Sequence, residues 1–372
     1  MSAKNAFTSP PRNHGFLALV FKRSCGGSYH AGERIRRVSE GRKQQLDLFG
    51  ESPPPPPRPS STEADRLARE HAEASVIAAR LPAGVRFGTS SWSFPDWAGI
   101  VYSRVTKVTE LAREGLREYA LHPLLTTVGI DRSYYAPIPP QDLVRYSEQL
   151  PPAFPCCAKA LELVTSAARP ARSGGRPGEP NPEFLNARLF EDEMLGPFRD
   201  VFREHAGPFI LQFPPAPRSL RMSAPEFAGK LERFLADLPK DFRYAIELRD
   251  PTFLTADYRD ALAAHGAAHV YNYVTAMPMP AEQAKAIPVS SASFAVIRLL
   301  LRPGTTYGER REEMMPFSRL TDQNPEMREQ VVSLARAATD AGIPVSVLVN
   351  NKAEGCSPLT IRALAEMLGS GV

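Results

Sequence analysis

A set of polar residues draws attention because each closes a short apolar run: Asp131, Lys159, Gln212, Glu247 with Arg249, Asn272, Arg298, and Asn350 with Asn351. Guanidinium forks bind phosphate or carboxylate, and asparagine side chains bond hydroxyls both as donor and as acceptor, so the set suits an anionic or polyhydroxylated ligand. Glu247 among such cations should be ionised and available as a general base. Asp131 is the one strand-end candidate for the second carboxylate of a retaining glycosidase pair. Lys159 qualifies for Schiff-base chemistry if burial lowers its pKa. The plain alternative is a buried Glu–Arg or Glu–Lys pair that holds a rim together. Trp92, Phe94, Trp97 and Tyr135 could form a stacking wall for a sugar or base, or could be ordinary loop packing. Histidines are scarce at the run ends, since His122 and His205 fall in connecting segments and His265 and His269 flank the start of the sixth run. No metal and no cofactor is therefore expected, and any hydrolase or lyase chemistry would run without a metal.

The elements that must position these groups are eight apolar runs, at 85–91, 126–133, 155–160, 208–213, 243–249, 268–273, 294–300 and 344–350. Helical stretches lie between them, among them 225–238, 257–265 and 324–341, the last ended by Gly342 ahead of Pro344. Strand and helix in alternation argue for parallel strands joined by crossover helices. Eight such units over the C-terminal part of the chain predict a (β/α)₈ TIM-type barrel over 81–372, with the strand C-termini sharing one functional face. Cys156 and Cys157 should alternate across the third strand, one facing the barrel interior and one the helices.

Ahead of the barrel, residues 1–80 form an extension that lacks sustained apolar periodicity. The run Pro53 to Pro57 favours an extended spacer, and a largely disordered segment is expected up to about residue 60. A helix over 62–80 is possible, with Thr62 and Asp65 as an imperfect capping box. The chain of 372 residues carries 45 Lys and Arg against 41 Asp and Glu, which excludes a strongly basic nucleic-acid coat. The first 50 residues are less even, with nine bases against three acids, so a weak contact with nucleic acid falls to this tail. Four cysteines without a CxxC pair and no long apolar run lead to the expectation of a soluble, cytoplasmic protein without a membrane partner.

The segments GTSSWSFPDWAG, LQFPP, YAIELRDPTF and VLVNNKAEG occur in order along the chain. With this spacing the sequence resembles the YecE-like family, also called domain of unknown function 72, from Val85 to about Leu368. The resemblance implies a TIM-type barrel and no assigned reaction. It also implies matching positions at Trp92, Trp97, Tyr135, Lys159, Gln212, Glu247, Arg249, Arg298, Tyr307, Asn350 and Asn351. Three departures stand out. Gly129-Ile130-Asp131 replaces the family's usual Glu-Ile-Asn, Leu300-Leu301 replaces His-Gly, and Asp250 stands where a histidine is frequent. A mechanism that relied on those histidines could not operate in this chain.

Inside the tail, Gln45-Leu46-Asp47-Leu48-Phe49 resembles the short peptide with which bacterial replication and repair proteins dock on the DNA sliding clamp. Leu48 and Phe49 would fill an apolar pocket while Gln45 fixes orientation. An amphipathic turn packed on the barrel is the plain alternative. Two functions follow as expectations: a barrel that binds or transforms a small anionic or sugar-like ligand, and a DNA replication or repair accessory recruited to the clamp.

Overall fold

The computed structural model describes residues 62–176 and 178–370. Eight parallel strands are present: β1 Val85–Thr89, β2 Thr127–Ile130, β3 Cys156–Ala158, β4 Phe209–Phe213, β5 Tyr244–Leu248, β6 Ala268–Tyr273, β7 Ala295–Leu299 and β8 Val345–Val349. Their order is β3-β2-β1-β8-β7-β6-β5-β4. The remaining seam is bridged by Gly207 N–H donating to Cys156 O at 2.9 Å and Ala160 N–H to Ile210 O at 2.9 Å. The expected (β/α)₈ barrel is therefore present. The third run yields only three residues of strand, and its excursion to β4, over 159–208, is built from short helical pieces.

Period-two alternation divides the apolar residues into two cores. Cys157, Ile210, Ala245, Val270, Val296 and Leu348 point inward and plug the barrel, while their neighbours Cys156, Phe209, Ile246 and Ile297 join the larger core beneath the helices. The two cysteines thus face opposite ways, as their adjacency on one strand requires. Burial pushes the Cys157 thiol up to about 11, which suits a packing residue. Gly129 is demanded by close approach of the neighbouring strand, because a Cβ there would lie 3.0 Å from Ser90 Cα and from Ser90 O.

The helices at Ala224–Asp237, Ala256–Ala264 and Pro325–Asp340 fall within a residue of their expected spans. After the last, Gly342 takes φ +72° and Ile343 N–H returns to Ala338 O at 2.8 Å, a left-handed cap that turns the chain into β8. The helix Glu63–Ala78 carries a complete capping box between Thr62 and Asp65. Arg362 of the helix Ser357–Gly369 binds its Glu70 at 2.7 Å and Glu73 at 2.5 Å, so this helix packs on the barrel and shares its compact unit. The expectations for residues 1–60, including Gln45 to Phe49, lie outside the described residues. Among the described residues no helix is long and apolar enough to cross a membrane.

Candidate functional site

Successive strands carry their last inward side chains to one end of the barrel, and there the charged residues meet. Register sets the neighbours: Gln212 pairs with Glu247 across β4 and β5, and Asn272 with Arg298 across β6 and β7. Glu247 is fully buried and both its oxygens are engaged. Arg249 Nε donates to Oε1 at 2.6 Å and Arg298 Nη1 to Oε2 at 2.5 Å. The same Arg298 reaches past β8 and β1 to Asp131, where Nη2 donates to both carboxylate oxygens at 2.8 and 2.9 Å. Gln212 Oε1 accepts from Lys159 Nζ at 2.9 Å and from Arg249 Nη2 at 2.8 Å. One connected network thus joins Asp131, Lys159, Gln212, Glu247, Arg249 and Arg298 from five strands. Asn272, level with Arg298, is fully buried and bonds elsewhere: its Nδ2 donates to Leu248 O at 2.8 Å and Gln283 Oε1 accepts from its backbone at 3.0 Å.

The electrostatics follow from this crowding. Burial alone would raise the Glu247 pKa, but Arg249, Arg298 and Lys159 outweigh it and hold the carboxyl down at about 2. A carboxylate so stabilised is a poor proton acceptor, and both its oxygens are occupied. The expected general base therefore has the geometry of the plain alternative, a buried anchor for two arginines. The glycosidase pairing meets the same obstacle, because Glu247 and Asp131 are bound to one guanidinium and Glu247 presents nothing to a substrate. Lys159 differs. Burial lowers it to about 8, with attraction to Asp131 and Glu247 offset by repulsion from Arg298 and Arg249.

Two residues complete the site that strand ends alone did not reveal. Lys352, buried in the turn after β8, donates to Asn350 Oδ1 at 3.2 Å. Its own burial brings it down to about 8, against the pull of Asp131. Tyr134 lies beneath Lys159, with Nζ 3.8 Å from the ring centroid. A cation–π partner one residue before Tyr135 and a lysine directly after Asn350-Asn351 were the available signals.

The aromatic wall expected from the first loop does not form. Trp92 is 4 % exposed and Trp97 0 %; the Trp92 indole donates to Leu111 O at 2.9 Å, and Trp97 stacks near Tyr102 with centroids 6.5 Å apart. Both pack the core under the helices. Tyr135 does stand at the mouth, half exposed with Arg172 over its ring at 4.2 Å. Asn350 stays partly exposed and Lys352 N–H donates to its Oδ1 at 3.1 Å. Asn351 is turned inward, its Oδ1 accepting from Ser357 N–H and Oγ, both at 2.8 Å, so it fastens the C-terminal helix. Tyr307 opens the helix Tyr307–Met314, and its side chain lies outside the described residues. Asp250 caps the turn at Pro251–Phe253 through Thr252 N–H at 3.0 Å, and Leu300 is buried.

Concavities of about 340 Å³ and about 660 Å³ lie elsewhere, one at the opposite end of the barrel and one beside Arg336 and Met367. The first is lined by Arg86, Arg203, Arg243 and Asp241 but lies at the strand N-termini, away from the face on which barrel sites form. At the mouth, Asp131, Gln212, Arg249, Asn350 and Tyr135 reach solvent. Among the described residues no three His, Cys, Asp or Glu side chains are grouped to hold a metal ion.

Comparison with solved structures places this barrel beside proteins of one family. A DUF72 family protein of Thermotoga maritima is 19% identical, with a TM-score of 0.51 over 77% of this chain and 98% of its own. A DUF72 family protein of Enterococcus faecalis is 15% identical, with a TM-score of 0.49 over 77% and 96%. Among curated protein sequences nothing matches. The model of the family described as "Protein of unknown function DUF72" matches residues 86–372, and the chain belongs to that family.

Proposed function

We propose that the barrel mouth binds a small anionic ligand, contacted by Arg249 and Lys159 and flanked by Lys352, Asn350 and Tyr135. The observation that carries this reading is the charge imbalance of the network. Among its described residues Lys159, Arg249 and Arg298 stand against Asp131 and Glu247. A surplus of buried cations is costly by itself and is relieved when an anion enters. Gln212 adds direction, because its Oε1 holds both the Lys159 ammonium and the Arg249 guanidinium and so aims them together. Asp131 and Glu247 act as positioning residues that fix Arg298 and Arg249. Asn350 and Tyr135 supply hydrogen bonds and a ring face for hydroxyls, which suits a phosphorylated or carboxylated polyol.

The test is a thermal-shift panel that sets inorganic phosphate, citrate and glucose 6-phosphate against glucose and glycerol at equal ionic strength. Ligand binding to the folded state raises the transition by mass action. The anions should stabilise and the neutral polyols should not; equal effects from both groups would contradict the reading.

A second proposal rests on the tail alone. Gln45 to Phe49, followed at once by the proline run, docks on a bacterial sliding clamp. Titration of the full chain and a Leu48→Ala, Phe49→Ala double variant against purified clamp tests it, with loss of binding in the variant as the expected result. Equal binding by the two would remove it.

A further inference from the structure

Of the cations at the mouth, Lys159 has the strangest surroundings. Arg249 and Arg298 each pair with Glu247, whereas Lys159 Nζ meets the Gln212 side-chain oxygen and the face of Tyr134. Among the described residues it forms no ion pair. A lysine of 6% exposure with no carboxylate in contact is expensive to keep as a structural group. A methionine or leucine would fill the same volume beside Tyr134 at lower cost. What the arrangement gains is an amine that can lose its proton close to neutral pH, set beside guanidinium groups that would hold an anionic substrate.

We infer that Lys159 forms a Schiff base with the carbonyl carbon of an anionic carbonyl compound, a 2-oxo acid or an open-chain sugar phosphate. The inference deepens the anion-binding reading and rests on it. The free amine adds its lone pair to the carbonyl carbon; the C–N bond forms, the carbonyl π pair goes to oxygen, and the nitrogen proton moves to that oxygen through solvent. The carbinolamine then takes up one proton and loses water, leaving a protonated imine. Amine, carbonyl compound and proton thus give iminium and water, and the nitrogen keeps the single positive charge that Lys159 carried as an ammonium. Gln212 Oε1, which accepts from Nζ, accepts equally from the iminium N–H. The Tyr134 ring faces the cation in both states. Arg249 lies on the same Gln212 oxygen at 2.8 Å, which places a guanidinium within reach of the substrate's carboxylate or phosphate.

The experiment traps the imine on the full-length protein. Cyanoborohydride delivers hydride to the iminium carbon and leaves a stable secondary amine. The probes are pyruvate, dihydroxyacetone phosphate and, as the neutral control, acetone; digestion and mass spectrometry then locate the adduct. The expected result is one adduct per chain on Lys159 with at least one of the two anionic probes and little with acetone. On the acid side of about 8, where the free amine is limiting, its rate should climb with pH. Lys159→Arg should remove the adduct while its circular dichroism stays that of the parent. Adducts spread over exposed lysines, an adduct centred on Lys352, or equal trapping of acetone would overturn the inference. Stabilisation of the unmodified protein by phosphate, measured in the same preparation, separates the two readings. Phosphate binding without a Lys159 adduct sinks the Schiff base and leaves the anion site, whereas no phosphate binding sinks the anion site itself.

Discussion

Arg298, near the end of β7, donates through Nη2 to both oxygens of Asp131, just beyond β2, at 2.8 and 2.9 Å. The two residues are 167 positions apart and two intervening strands separate them in the barrel, so the contact ties opposite parts of the mouth. With Nη1 on Glu247 the guanidinium becomes the centre of the site, and its complete burial makes the carboxylates around it indispensable.

Glu247→Gln should therefore be severe. It leaves Arg298 buried with only the partly exposed Asp131 as counter-charge, and removal of one partner from a buried pair costs about 3–5 kcal/mol. Urea denaturation followed by circular dichroism should show a loss of that order. A loss below about 1 kcal/mol would mean that Glu247 does not anchor the arginines. Asp131→Asn should cost less, because Asp131 keeps 27% of its side chain exposed and water can replace part of what is lost.

The titrating groups give stability a defined dependence on pH. Lys159 and Lys352 are each brought from 10.5 down to about 8, so between about 8 and 10.5 the unfolded chain binds more protons than the folded one. Stability should rise with pH across that window. Lys159→Met should accordingly exceed the parent in stability at pH 7, by up to about 3 kcal/mol from the size of the shift. That advantage should shrink toward pH 10. Glu247 acts in the opposite sense: held at about 2 instead of 4.5, it contributes stability that is present above pH 4.5 and lost as pH falls toward 2. Urea midpoints at pH 3, 7, 8 and 10 check both slopes, and a flat profile from 8 to 10 in the parent would contradict the account of the lysines.

Trp97 offers a control on the first loop. As a fully buried core residue it should cost about 3–5 kcal/mol when replaced by alanine, and Trp97→Phe, which keeps most of the packing, should leave phosphate binding within twofold of the parent. A tenfold loss of phosphate binding in Trp97→Phe, with the fold retained, would return this residue to the ligand site.

These residues also show how far the sequence could be read. The strands were legible because eight short apolar runs alternate with helical stretches, and the polar groups at the strand ends could be placed together because parallel strands of a barrel end on one face. Direction beyond a strand end was not legible. Trp92 and Trp97 follow β1 directly, but their loop folds back against Leu111 and Tyr102, a tertiary choice that no period announces. Lys352 and Tyr134 were missed for the same reason, since both lie in turns where alternation stops. The role of Glu247 was open because ionisation favours both a base and an anchor, and only the partners of its two oxygens distinguish them.

We propose that surplus positive charge at the barrel mouth binds an anion through Arg249 and Lys159. The decisive measurement is calorimetric titration of the full-length protein with inorganic phosphate at pH 7, with Arg249→Gln and Asp131→Asn run alongside. Loss of one charge-assisted contact is worth about 1.5–3 kcal/mol, so Arg249→Gln should bind roughly tenfold or more weakly, while Asp131→Asn, which removes a competing negative charge, should bind at least as tightly as the parent. No phosphate binding by the parent, or equal affinity in the parent and Arg249→Gln, would contradict the account.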